Sequence, residues 1–323
     1  MTLILTRSDV EKLIDHPSII EAVRSAHIAL ASERAVVPVA PSMRRPGGDG
    51  AFIGMAAVSE PDRLATVKLL ADLPGNRARN LPTQRSVVLA VSADDGTPEA
   101  LVDGAVLTRV RTAAASAVAT AALARPDGRV LGLVGAGELA RAHVEALRHV
   151  HDFDRIVVWS RTGARARSLA AAYDAEVMPT AEAVVAAADV VCTLTPAREA
   201  YIRGDWFRPG QHINAVGAPP RPDHREIDTA GIRRARVVVD TRATSWHDSG
   251  DVMIPLAESA VDRAHVADEL GSVLAGTTPG RSSDDEITLF NSVGVGLQDL
   301  AGVRLLIDRA RAEGIGLEVE LGR

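Results

Sequence analysis

The sequence predicts an α/β protein: a doubly wound parallel sheet in the middle of the chain, accompanied by a second, mixed α+β domain. Three observations carry this. Strand-like apolar runs alternate with helical patterns from Arg129 to Asp240, as in a parallel sheet flanked by helices. A glycine turn, Gly135-Ala136-Gly137, stands between the first of these strands and its helix. Before Thr108, strand-like runs are separated by proline and glycine instead of helices, which points to a mixed or antiparallel sheet. At roughly 100–200 residues per domain, a chain of 323 residues suits two domains.

The elements follow in order. Ser8–Ala31 has the apolar spacing of one or two amphipathic helices. Strands are expected at Ala51–Val58, Ala65–Leu70 and Ser86–Ser92, with turns at Pro46-Gly47-Gly48, Pro74-Gly75 and Gly96-Thr97-Pro98. A small-residue helix, Leu107–Ala124, leads into the alternating region. There, strands are expected at Arg129–Val134, Asp154–Ser160, Glu176–Met178, Val190–Leu194, His212–Val216 and Arg236–Asp240. Helices fall at Glu138–Val150, Ala164–Tyr173 and Ala181–Ala188, and a last helix at Val303–Glu313.

Gly135-Ala136-Gly137-Glu138-Leu139-Ala140 fits the G-x-G-x-x-G/A fingerprint and has the context that gives it meaning, a strand before it and a helix after it. Gly135 permits the tight turn, Gly137 lets backbone approach a pyrophosphate at the helix N-terminus, and Ala140 keeps helix and strand close. This is a Rossmann-type dinucleotide site. An NAD site usually ends its second strand in an acid for the ribose 2′-hydroxyl. Here Ser160-Arg161-Thr162 stand there, which favours the 2′-phosphate of NADP(H) and leaves NAD(H) open. The ends of the fourth and fifth strands, Thr193-Leu194-Thr195 and Val216-Gly217, complete the expected cofactor site.

Composition excludes several classes. The net charge of -6 argues against a nucleic-acid binder with a basic surface. The single cysteine, Cys192, excludes an internal disulfide framework and a cysteine-rich zinc site, and is expected in the core of the fourth strand. No apolar run is long and uncharged enough to span a membrane, and the N-terminus lacks a secretory pattern, so a cytoplasmic protein is expected. The histidines show no metal spacing, and His149 and His151 are expected in solvent. Of the 36 lysines and arginines only Lys12 and Lys68 are lysines, so Lys68, inside the apolar run Leu64–Ala71, invites a chemical reading. It is either a buried cation serving a substrate carboxylate or proton transfer, or an edge-strand lysine facing water.

Several collinear segments resemble the ornithine cyclodeaminase/mu-crystallin family: RTAAASAVAT (Arg111–Thr120), VLGLVGAGELARAHVEAL (Val130–Leu147), VWSRT (Val158–Thr162), ADVVCTLTPAREAYI (Ala188–Ile202), PGQHINAVGA (Pro209–Ala218), RPDHREID (Arg221–Asp228) and EITLFNSVGVGLQDLA (Glu286–Ala301). The resemblance implies a substrate-binding and dimerisation domain built from both termini, residues 1–120 and 292–323, around a Rossmann domain at 121–291. It implies that Arg111 binds a substrate carboxylate, strengthens the functional reading of Lys68, and leaves Arg109 at the surface. A further family arginine has its slot at Ala40, and Arg44 is the candidate to replace it, with Arg45 behind it. The cyclodeaminases' loop aspartate falls on Pro219, which carries no proton, and Asp223 is a weaker substitute; Trp246-His247-Asp248, after the sixth strand, is a marginal candidate for substrate contact. The expected function is NAD(P)H-dependent reduction of an imino acid (ketimine) to an amino acid, or the reverse dehydrogenation, by a homodimer. The alternatives are a cyclodeaminase-type lyase using bound NAD and a cofactor-binding protein without catalysis.

Overall fold

A computed structural model describes residues 1–321. They form two units: Met1–Thr112 together with the chain from Val295 onward, and Ala113–Gly294. The sequence-based expectation sets the boundaries after residues 120 and 291 instead.

The first unit begins with strand β1 (Thr2–Leu5), then helices α1 (Arg7–Leu13) and α2 (His16–Ala31). Two helices form here because Thr6 and Asp9 make a reciprocal capping box for α1, while Asp15 caps α2 by accepting from the Ser18 amide at 2.9 Å. Strands β2 (Ala35–Val36), β3 (Ser42–Arg44), β4 (Ala51–Ser59), β5 (Leu64–Asp72), β6 (Gln84–Ser92) and β7 (Pro98–Asp103) follow, and α3 (Gly104–Leu123) carries the chain onward. In β4 and β5 every second residue is buried, so one sheet face is covered.

The second unit holds β8 (Val130–Val134), α4 (Glu138–Leu147), β9 (Arg155–Trp159), α5 (Gly163–Tyr173), β10 (Glu176–Val177), α6 (Ala181–Ala187), β11 (Val190–Thr193) and β12 (His212–Ala215). It continues through α7 (Thr229–Arg234), β13 (Arg236–Val239), α8 (Arg242–Asp248), α9 (Gly250–Ala257), β14 (Asp268–Glu269), α10 (Leu270–Leu274) and β15 (Thr288–Asn291). The strand order is β10-β9-β8-β11-β12-β15-β13-β14, parallel throughout. The order reverses at β8, so right-handed crossovers put helices on both faces, and every residue of β11, β12 and β15 is buried. β15 was not anticipated from sequence. Its run TLFN is only four residues long and follows an acidic stretch, yet it lies between β12 and β13.

The chain then returns to the first unit with α11 (Gly296–Glu313) and β16 (Leu317–Val319). That sheet runs β16-β1-β7-β6-β5-β4-β2, with β3 also on β4. α11 lies on β4 and β5 and against α2. It starts two turns earlier than the sequence pattern showed. Glycine inside it depresses helix propensity, but Gly302 permits close packing: a Cβ there would stand 2.3 Å from Leu107 Cδ1.

Candidate functional site

In the first unit, alternation along β5 turns Lys68 to the covered face, where it is 1% exposed. The edge-strand alternative for Lys68 is thereby removed. Its Nζ donates to Asp299 Oδ2 at 2.8 Å. Arg111, on α3, donates from Nε to Asp299 Oδ1 at 3.2 Å and from Nη1 to Gln298 Oε1 at 2.6 Å. Gln298 in turn meets His27 of α2, Nε2 to Nε2, at 3.2 Å. Two cations thus share one carboxylate, which leaves the cluster with a net positive charge. Burial, and then the Arg111 charge, bring the Lys68 pKa down to about 8; the charge and hydrogen bond of Asp299 oppose that fall.

Asp299 and Gln298 escaped sequence reading because they sit in the glycine-flanked start of α11. The usable signal was an acid and an amide in an otherwise apolar stretch, GVGLQDLAGV. Arg44 does not join the cluster. It is exposed, opposite Ala51 at the sheet edge, while Lys68 is opposite Met55. Four residues along and two strands across put the two Cα positions roughly 16 Å apart. Ala40 packs against Ile53, Met55 and Leu70. Arg109 is half-buried.

In the second unit the expected cofactor residues all fall at the C-terminal ends of parallel strands, the side on which such sheets bind ligands. Gly135 has φ +124°, and a Cβ on it would stand 2.7 Å from the Leu194 carbonyl oxygen, so the turn admits only glycine. Gly137 opens α4 with no side-chain cap, and nothing lies within 4 Å of where its Cβ would be. Open space over uncapped amides suits a pyrophosphate. Ala136 is buried, Leu139 half-buried and Glu138 exposed. Ser160 is half-buried, and Arg161 and Thr162 are exposed at the entry to α5. Thr193, Thr195 and Gly217 are drawn together by Glu226, a carboxylate the sequence did not single out. Val216 is buried beside them, its amide donating to the Thr193 carbonyl.

Other candidates have ordinary roles. Asp223 pairs with His224 at 3.0 Å and Arg198 at 3.6 Å, and the His224 hydrogen bond holds its carboxyl below the usual range. His247 binds Asp248 at 2.8 Å. His151 is half-buried, its Nε2 2.6 Å from the Gly128 carbonyl, whereas His149 is exposed. Cys192 is buried in β11, its thiol pushed up to about 12 by burial. No group of metal-ligating side chains occurs among the described residues.

Comparison with known proteins bears on this arrangement. Residues 1–314 match the profile of the ornithine cyclodeaminase/mu-crystallin family. The chain belongs to that family. It is 36% identical over 278 residues to the ketimine reductase mu-crystallin of Mus musculus, covering 85% of this chain and 83% of the mouse protein. Among solved structures it is similar to Thermococcus litoralis Δ1-pyrroline-2-carboxylate reductase in complex with NADH and L-proline, at TM-score 0.94 and 33% identity over 98% of this chain and 100% of that one. It is equally similar to an archaeal alanine dehydrogenase dimer with bound NAD, at TM-score 0.94 and 30% identity over 99% of each chain. This family member therefore carries a two-unit fold shared with enzymes named for imino- and amino-acid chemistry.

Asp299→Asn should leave two buried cations without their shared counter-charge. The expected loss is about 3–5 kcal/mol of unfolding free energy, measured by urea denaturation. An unchanged midpoint would mean that solvent already compensates Lys68 and Arg111.

Proposed function

We propose that the protein is an NAD(P)H-dependent imino-acid reductase, able to run in reverse as an amino-acid dehydrogenase. The observation that carries this is the buried Lys68–Asp299–Arg111 cluster, whose net positive charge matches an α-carboxylate. The fingerprint loop and its uncapped helix in the same chain suit the dinucleotide. When bound, the reduced cofactor supplies a hydride to the C=N carbon. The chain's own residues do the rest. The Arg111 guanidinium and the Lys68 ammonium hold the carboxylate and so orient the carbon. Lys68, or a water, gives the proton to the imine nitrogen, and Asp299 keeps Lys68 protonated below pH about 8. Pro219 offers no proton-carrying group, and Asp223 is already paired, which weighs against a cyclodeaminase.

Incubation with NADPH or NADH and a panel of cyclic and linear imino acids should consume reduced cofactor; no consumption with any of them removes the reading. Lys68→Met and Arg111→Ala should each lower kcat/KM about ten- to a hundredfold, with the double variant little worse than the worse single. Because the lowered Lys68 pKa is about 8 and the protonated form is the working one, wild-type kcat/KM should fall as pH rises through that value. Lys68→Met should lack that limb. A wild-type profile with no limb there would take Lys68 out of the chemistry.

NADP(H) is the favoured cofactor. Arg161, Arg165 and Arg167 are exposed around the start of α5 and make no ion pair among the described residues, leaving them open to a 2′-phosphate. Arg161→Ala should weaken NADPH binding much more than NADH binding in fluorescence titration; equal losses would reverse the assignment.

The second copy of a homodimer fits the uncovered face of the first unit's sheet. Val67 (49% exposed), Leu89 (43%) and Leu101 (37%) stand opposite one another across β5, β6 and β7, and Leu69 pairs with Val87 beside them. A contiguous apolar row of this kind needs a partner. Light scattering at micromolar concentration should give a dimer mass, and Val67→Glu with Leu89→Glu a monomer; a monomeric wild type rejects the assignment. No helix among the described residues is long and apolar enough to cross a membrane.

A further inference from the structure

Glu226 lies in the segment between β12 and α7 and is fully buried. Its Oε2 accepts from the Thr193 hydroxyl and the Gly217 amide, both at 2.7 Å. Its Oε1 accepts from the Thr195 amide at 2.8 Å and lies 2.9 Å from the Thr195 hydroxyl and 3.0 Å from the Tyr201 hydroxyl. One carboxylate therefore gathers the end of β11, the loop after it and the loop after β12. The segment bearing Glu226 is itself fixed: Asp251 Oδ1 accepts from the Glu226 and Ile227 amides at 2.9 and 2.8 Å. Burial raises the pKa of both acids, Asp251 to about 7, and the donors around each oppose that rise.

An acid is costly to bury unless donors satisfy it, as they do here. What it gains is a fixed position for loops at the strand ends. In a sheet whose order reverses between β8 and β11, a dinucleotide bound at the switch point would cross from the β9 side, where Ser160-Arg161-Thr162 stand, to the β11 and β12 side. Its nicotinamide half would then border the loops that Glu226 holds.

We propose that Glu226 is a positioning residue for the nicotinamide half of the cofactor, acting through Thr193, Thr195 and Gly217 without touching the cofactor itself. The proposal rests on the cofactor reading above. Glu226→Gln keeps the size but turns an amide's protons toward donors, so the loops lose their common anchor.

The test is binding, measured by calorimetry for wild type and variants. The ligands are the reduced dinucleotide and its adenosine half alone (2′,5′-ADP for NADPH, 5′-ADP for NADH). Glu226→Gln should weaken the whole dinucleotide roughly ten- to a hundredfold and leave the adenosine half unchanged. Tyr201→Phe, which removes one donor to the carboxylate, should show the same split at about three- to tenfold. Equal weakening of both ligands would make Glu226 a general stabiliser of the unit and overturn the proposal, as would unchanged binding of both. Should Glu226→Gln fail to fold, Tyr201→Phe decides alone, and no split there overturns it. A wild type that binds neither NADPH nor NADH overturns the cofactor reading and this proposal together, an outcome distinct from the others.

Discussion

Two positive side chains buried side by side repel each other and lose their hydration, so Lys68 and Arg111 can occupy their places only because Asp299 lies between them. Asp299 stands in the first turn of α11, where the helix dipole favours an acid. Its position depends on how α11 is seated. Gly302 permits the close approach to Leu107, and Arg309 reaches back to Asp15, the Leu13 carbonyl and Ser18 at the start of α2. The C-terminal helix is thus held by the N-terminal pair, and the acid it carries fixes cations from β5 and α3.

The second unit meets a related problem with neutral donors. Parallel strands present all their C-terminal ends on one edge, so amides and hydroxyls from separate loops converge there. Glu226 satisfies Thr193, Thr195 and Gly217 at once, and Asp251 satisfies the backbone that carries Glu226. The fingerprint turn needs no such acid, because Gly135 settles its geometry through backbone conformation and close contact with Leu194. Buried carboxylates are thus opposed by cations in the first unit and by hydrogen-bond donors in the second.

Much of this was legible in the amino-acid order. Periodicity, the glycine fingerprint and the turn residues were enough for the parallel sheet, for most of its strands and for the loop at Gly135–Gly137, because these are local properties of a few consecutive residues. Lys68 and Arg111 also stood out, the one as a rare lysine in an apolar run, the other through the RTAA segment. What sequence could not supply was pairing at long range. β15 is four residues long and becomes a strand by fitting between β12 and β13. Lys68 could face water or core until α11 covered its side of the sheet. Arg44 was a reasonable substitute by proximity in sequence, and the strand register sets it at the exposed edge instead. Asp299 and Glu226 have no motif of their own. A carboxylate's role is set by the donors and cations around it, and here those come from chain positions far away, which only the folded arrangement brings within hydrogen-bonding distance.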